Sequence, residues 1–447
     1  MGTLRLSLAG CLFGIAALAA PNSGSSVTFN KDVLPVLQKN CQECHRPGEV
    51  APMSLLTYSE ARPWAKSIKN AVLTKKMPPW FAETQGNHMF SNDRTLSAAD
   101  LQTLVSWVDN GAPEGNAKDA PPPTKFQQGW QIKPDMVIEM PVDFQLPAKG
   151  TINYQYMLVK GNFPEDVWVS SAEMRPGNPK VLHHGKVWVR PPGSHWMEDA
   201  VPGVAYEAGM GRNSVDEGND ILGKFNPGLG SQTFDIDGAA KFVPKGSDLV
   251  FELHYTAIGQ ETTDRSKLGL VFAKQAPTTR YFLSAGPTAL NLVIPPGDGN
   301  AEVVSEVTVG ADNVRLAYAQ PHMHLRGKDF ELRAIYPSGE SETLFKGKFD
   351  FDWQLGYNFA KPIALPRGTR LIGISHFDNS LNNKFNPDPT KQVLWGPQNW
   401  DEMSNCFVGL LFDVATNPGA VFRASGPSRL PRGKSGPTLS SLATGTD

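Results

Sequence analysis

The sequence predicts a multidomain chain in which a small all-α domain precedes two all-β antiparallel sandwiches of jelly-roll-like form. Three observations lead there. A length of 447 residues suits about three domains, each with its own core. Apolar residues recur at helical spacing only between residues 26 and 113, and from 129 to 423 the period changes to two. The 42 glycines and 37 prolines make up nearly a fifth of the chain, against a usual share of roughly 12%, which suits short strands and tight turns.

Residues 1–20 combine Arg5, a short apolar run and small residues at Ala17, Ala19 and Ala20, the layout of a cleaved signal peptide. Export, to a bacterial periplasm, is therefore expected. The run Leu8-Ala9-Gly10-Cys11 would alternatively serve lipid attachment, although most of the apolar stretch follows Cys11. No later stretch reaches the roughly 18 apolar residues of a spanning helix, so no stable membrane span is expected. With 42 basic and 44 acidic residues the net charge is −2, which argues against nucleic-acid binding and against a polybasic membrane surface.

Within 26–113, Val33, Leu34, Val36 and Leu37 form an apolar face behind Asn30, a candidate N-cap, and Trp64, Ile68 and Val72 repeat at four-residue spacing. A further helix is expected behind Ser97, with Leu101, Leu104, Val105 and Val108 on one stripe and Gly111 at its stop. Residues 114–128, with Pro121-Pro122-Pro123, read as a semi-rigid spacer. Alternating runs such as Lys186-Val187-Trp188-Val189 and Arg370 to Ile374 predict strands, divided into sandwiches at 129–282 and 283–423. The Ser, Gly and Pro-rich stretch 424–447 reads as a disordered tail.

Cys41-Gln42-Glu43-Cys44-His45 is the attachment pattern of a c-type haem, with two thiols for thioether bonds and an imidazole for iron. A redox dithiol would need a βαβ context, and a zinc site would need a second ligand pair nearby; neither accompanies it. Met77, in Lys75-Lys76-Met77-Pro78-Pro79-Trp80, is the favoured sixth ligand, with Met53, His88 and Met89 as competitors. One covalently bound haem c is thus expected.

The remaining histidines are grouped: His183-His184, a lone His254, and His322-Met323-His324. Along a strand, positions i and i+2 share a face, so His322 and His324 can hold one ion together. Imidazole suits copper, zinc or iron, and a thioether partner favours copper.

In order and interval, these histidines together with Asp401-Glu402-Met403 resemble the ascorbate-dependent type II copper monooxygenases, the family of peptidylglycine α-hydroxylating monooxygenase and dopamine β-monooxygenase. Pro321-His322-Met323-His324-Leu325-Arg326-Gly327-Lys328 and Asp401-Glu402-Met403-Ser404-Asn405 are part of the likeness, which covers residues 129–423. Residues 27–113 resemble a small cytochrome c. The resemblance implies two copper ions: an electron-transfer copper on His183, His184 and His254, and an oxygen-binding copper on His322, His324 and Met403, the catalytic group. It also implies an open, solvent-filled cleft between them, and hydroxylation of a C–H bond of a small organic substrate with O2. Each turnover takes two electrons. The family draws them from ascorbate, whereas CxxCH here implies relay through the chain's own haem, fed by a periplasmic redox protein or a small reductant.

Two positions depart from the family. Gln320 and Phe407 stand where the peptide-hydroxylating members carry an arginine and a tyrosine that grip a substrate carboxylate, so a glycine-extended peptide is not the expected substrate. Cys406 is the only cysteine of the region and is expected to be a buried apolar thiol. His88, His195 and His376 receive no firm role. The alternative reading is a haem and copper protein that transfers electrons, or oxidises substrate, without hydroxylating it.

Overall fold

The computed structural model describes residues 27–49, 51–83, 88–126, 129–207 and 220–424. The expected signal peptide lies outside the described residues, as does the expected tail apart from Ala424, which belongs to the strand Phe422–Ala424.

The expected fold class does not hold. The protein is mainly β, with 38% of the described residues in strands and 12% in helices. No self-contained all-α cytochrome domain precedes two separate sandwiches, for reasons visible at both junctions.

The helices are few and short: α1 (Leu34–Asn40), α2 (Tyr58–Ala61), α3 (Ala65–Leu73) and α4 (Ala98–Asp109). Ser97 Oγ caps α4 by accepting from Asp100 N–H at 3.0 Å, and Gly111 ends it in the left-handed region. Asn30 is not a cap: a π-turn at Phe29–Val33 runs straight into α1. Ile68 and Val72 are buried, while Trp64 is 42% exposed.

Between α3 and α4 the chain leaves the helices. Pro78 and Pro79 offer no N–H donors, so the following residues continue as extended chain and find their partners elsewhere. Trp80 packs edge-on against Tyr357 at 4.9 Å, Ala82 bridges to Gly347 and Phe90 to Phe359. Glu83 and Ser91 donate their N–H groups to the carbonyls of Lys346 and Asn358. The expected spacer is docked as well. Phe29 and Asn30 donate to the Pro113 and Glu114 carbonyls, Gln38 Nε2 donates to Pro122 O at 3.0 Å, and the Arg46 guanidinium covers the Phe126 ring.

Two five-stranded sheets enclose the first β core. One contains Val167–Arg175 and Lys267–Phe272; the other runs, in spatial order, Ala205–Glu207, Gln155–Val159, Asp248–Tyr255, Leu182–Arg190, Ile221–Phe225. A four-stranded sheet of Thr279–Thr288, Asn405–Asp413, Val314–His322 and Tyr357–Leu365 and a five-stranded sheet centred on Arg370–Phe377 enclose the second.

The four-stranded sheet joins the two units. Tyr281, Leu283, Phe407 and Leu411 belong to the first core, while Phe282, Val408, Leu410 and Phe412 belong to the second. Alternate residues thus face opposite cores, which is why all eight residues from Asn405 to Phe412 are buried. The boundary expected at 282/283 falls inside one strand of this sheet. Polar groups also cross the junction. Asp220 pairs with Lys241 and accepts from Leu283 N–H at 2.9 Å, and Lys224 donates to the Tyr318 hydroxyl and, at 2.7 Å, to Gln320 Oε1.

Candidate metal centre

In the paired strands Leu182–Arg190 and Asp248–Tyr255, His184 lies opposite His254 and Leu182 opposite Tyr255, so His183 is the extra residue of a β-bulge. Successive residues of a regular strand point to opposite faces, and a bulge re-aims one of them. Here it turns His183 towards its neighbour, bringing the two Nδ1 atoms to 3.1 Å. Two imidazole nitrogens each about 2.0–2.1 Å from a tetrahedral ion lie about 3.3 Å apart. One ring nitrogen from each of His183, His184 and His254 falls within 4.8 Å of the others.

The outer edges of two of these rings are held. His184 Nε2 and the Tyr154 hydroxyl are 2.9 Å apart, and His254 Nε2 is 3.2 Å from the Asn399 side-chain amide. His254 Nδ1 is buried with no hydrogen-bond partner among the described residues, and so is Asn399 Oδ1. Turning the Asn399 amide over lets its oxygen accept from Nε2–H and leaves the Nδ1 lone pair free for an ion. All three rings then offer Nδ1.

The second group offers the opposite edge. The strand Val314–His322 ends at His322, and His324 follows it, the two ring centroids lying 5.3 Å apart. His322 Nδ1–H donates to Gln354 Oε1 at 2.8 Å, and His324 Nδ1 lies 3.4 Å from the Asp401 carbonyl. Nε2 is left for an ion in both rings, and at His324 it is buried without a partner among the described residues. His322 pairs with Asn405, whose side-chain amide lies 3.8 Å from the sulfur of the buried Met403. Glu402 fixes this corner by accepting N–H bonds from His324 at 2.7 Å and Arg326 at 2.6 Å. Burial raises the Glu402 pKa to about 8 against the pull of those donors.

The two groups meet directly. The rings of His184 and His322 are 6.3 Å apart, Phe351 stacks on His183 at 5.1 Å, and His184, His254, His322 and His324 are all buried. Among the described residues the two groups adjoin with no open cleft between them, since the doubly covered sheet holds the units together. Burial disfavours imidazolium. It lowers the pKa of His254 to about 3 and of His324 to about 4, and moves His184 and His322 well below the ordinary value. The rings are neutral, ligand-competent donors at neutral pH, and they fit metal ions.

Cys41 caps α1, and its carbonyl accepts from the N–H groups of Cys44 and His45. Both cysteines are free. His45 Nδ1 is held by Met53 O at 3.2 Å, leaving Nε2 for iron. Burial raises the Cys41 thiol pKa to about 12 and also raises that of Cys44, with Arg94 pulling the latter down. Met77 follows α3, its N–H directed at the Ala71 carbonyl. The competitors His88 and Met89 lie against the second β unit, His88 at 3.0 Å from Glu342 and Met89 accepting from Ala360 N–H.

His376 sits between Asp329 and Glu302 on the outer sheet, and His195 pairs with Glu198. Cys406 is fully buried. Sequence reasoning missed Tyr154, Phe351, Gln354 and Asn399. Tyr154 becomes visible only once the pairing of Gln155 with Leu253 is known, since the next pair outward is Tyr154 with His254. The other three come from loops, and no local pattern marks them.

No family model matches the chain, and no curated protein matches it. Among solved structures it is weakly similar to the major capsid protein P2 from bacteriophage PM2 (12% identity, 63% of this chain and 98% of that one, TM-score 0.30). It is also weakly similar to the infectious bursal disease virus Gx strain structure (11%, 64% and 74%, TM-score 0.18) and to PNGF-II (11%, 62% and 64%, TM-score 0.26). Likeness at this level bears on neither function nor architecture.

Proposed function

We propose that this protein is an exported, copper-dependent monooxygenase that hydroxylates a C–H bond of a small organic substrate with O2, using electrons relayed through a covalently attached c-type haem. The observation that carries the reading is the convergence of two histidine groups that offer opposite ring edges, Nδ1 from His183, His184 and His254 and Nε2 from His322 and His324. The first group would hold an electron-transfer copper; the second, with Met403, would hold the copper that serves O2. A thioether beside two imidazoles favours copper over zinc. Bound copper would supply one-electron redox chemistry and activation of O2.

The chain's own residues prepare that chemistry. Tyr154 and Gln354 orient ligand rings, while Phe351 and Phe407 flank them and keep water out. Gln320, tied to Lys224 and to the Gln354 carbonyl, provides no guanidinium clamp, which favours a substrate without a carboxylate to grip. Cys41, Cys44, His45 and Met77 would hold the haem, reduced by a periplasmic redox protein or a small reductant. The closeness of the His184 and His322 rings favours a second reading, a haem and copper protein that moves electrons without hydroxylation.

Isotope labelling separates the two. Product made under 18O2 should carry one labelled oxygen, and unlabelled product would support the second reading. Fewer than two coppers per haem after reconstitution would sink the monooxygenase. Replacing Cys41 and Cys44 by Ala should abolish donor-driven turnover while added ascorbate restores part of it; turnover with the donor in that variant would refute the relay.

A further inference from the structure

One loop of the second β unit reaches both histidine groups and the helical segment. It spans Asp350–Gly356, between the strands Ser341–Lys348 and Tyr357–Leu365. Phe351 stacks on His183 with planes 26° apart, and Gln354 holds His322 Nδ1. Trp353, between them in sequence, lines a recess together with Trp80 and Arg94 of the helical segment. That segment clamps the loop. Asn92 Nδ2 donates to Gly356 O at 2.8 Å, and Asn92 Oδ1 accepts from Asn358 N–H at 2.9 Å. Trp80 comes three residues after Met77 and packs on Tyr357. Arg94 donates to Gly228 O at 2.6 Å, and its charge is felt at Cys44.

The stretch 80–94, which joins α3 to α4 of the helical segment, is therefore pressed against a loop whose other side touches the histidines. We infer that Trp80, Trp353 and Phe351 form the path by which single electrons pass from a haem attached at Cys41 and Cys44 to the ion held by His183, His184 and His254. The inference rests on the haem and copper reading above and adds the route. Each passage oxidises ferrous haem iron to ferric and reduces one cupric ion to cuprous; no bond forms or breaks, and no proton has to move. Trp80 and Trp353 line the same recess, and Phe351 meets the His183 ring. One residue separates Trp353 from Phe351, so the gap between recess and ligand ring is bridged covalently.

The test uses the full chain with covalent haem and copper bound, without O2 or substrate. A photosensitiser reduces the haem in a light flash; its reoxidation is followed by absorption, and the arrival of the electron by loss of the cupric electron paramagnetic resonance signal. In the wild type, reoxidation should be first order at a rate independent of protein concentration. Trp353→Leu should slow it several-fold with metal contents and the cupric spectrum unchanged, Phe351→Leu should slow it as well, and Phe351→Tyr and Trp353→Phe should recover most of the rate. Trp353 lines the recess and not a histidine ring, so Trp353→Leu carries the test even where Phe351→Leu disturbs copper binding. Wild-type rates in Trp353→Leu would overturn the route and leave the haem and copper reading standing. A wild-type haem that never passes its electron to bound copper would remove relay and route together.

Discussion

Replacing Gln354 with Leu tests whether the second histidine group is a metal site built in two layers. Gln354 is buried, and its side-chain oxygen is the partner of His322 Nδ1 at 2.8 Å, which turns Nε2 towards the ion position. Leucine keeps the bulk and removes the acceptor; the bond from Gln320 Nε2 goes to the Gln354 main-chain carbonyl and survives. Loss of an outer partner of a ligating histidine typically weakens metal binding about 10–100-fold, or about 1.4–2.7 kcal/mol. The Nδ1–H left unpaired in a buried site costs a further 1–3 kcal/mol or so of folding stability. The first group keeps both its outer partners, Tyr154 and Asn399, so its affinity should not change. Copper titration of the metal-free protein, followed by electron paramagnetic resonance, resolves the two sites. Weakening of the second site alone is the expected result. Equal weakening of both sites, or of neither, would refute the assignment of Gln354 as the residue that positions His322.

Met403→Ile should abolish hydroxylation while leaving the haem spectrum and the copper on His183, His184 and His254 intact; unchanged turnover would remove Met403 from the site. For the copper-free protein, acid is the expected weakness. Unfolded imidazoles protonate near pH 6.5, whereas burial keeps folded His324 neutral to about 4 and folded His254 to about 3. The histidine contribution should therefore be complete above pH 6.5 and fall below it by about 1.4 kcal/mol per pH unit for each such histidine, outweighing the opposite slope of the single Glu402, whose raised pKa costs stability as pH rises towards 8. Urea midpoints at pH 7 and pH 5 read this directly, and a higher midpoint at pH 5 would contradict it. Lys241→Met strands Asp220 in the core beside Leu283 N–H, at a cost of about 3–5 kcal/mol. Adding Asp220→Leu should recover part of the lost melting temperature, and a Lys241→Met melting temperature equal to wild type would show that the pair is not buried as described.

Some of this architecture was legible in the sequence because it is local. Ser97 and Gly111 mark the two ends of α4, and alternating runs mark strands such as Leu182–Arg190. The histidine groups were legible because grouped imidazoles imply a shared ion. What could not be read depends on pairing between distant strands. The run Asn405–Phe412 looks like any apolar strand, and nothing in it says that two different cores claim its two faces. Trp80 and Phe90 lie in a stretch flanked by helices, yet their partners Tyr357 and Phe359 are more than 250 residues away. The bulge at His183 is equally silent: two adjacent histidines in a strand should diverge, and only the pairing of Leu182 with Tyr255 reveals why they do not.

The sheet of Thr279–Thr288, Asn405–Asp413, Val314–His322 and Tyr357–Leu365 acts as a party wall between the two β units. A fragment ending at residue 282 would leave the first core open where Leu283, Phe407 and Leu411 now close it, and the complementary fragment would carry that apolar face into water. Swinging one unit away from the other would split a strand ladder that both cores use, whereas the loop Asp350–Gly356, which touches His183 and His322, could shift without breaking any ladder.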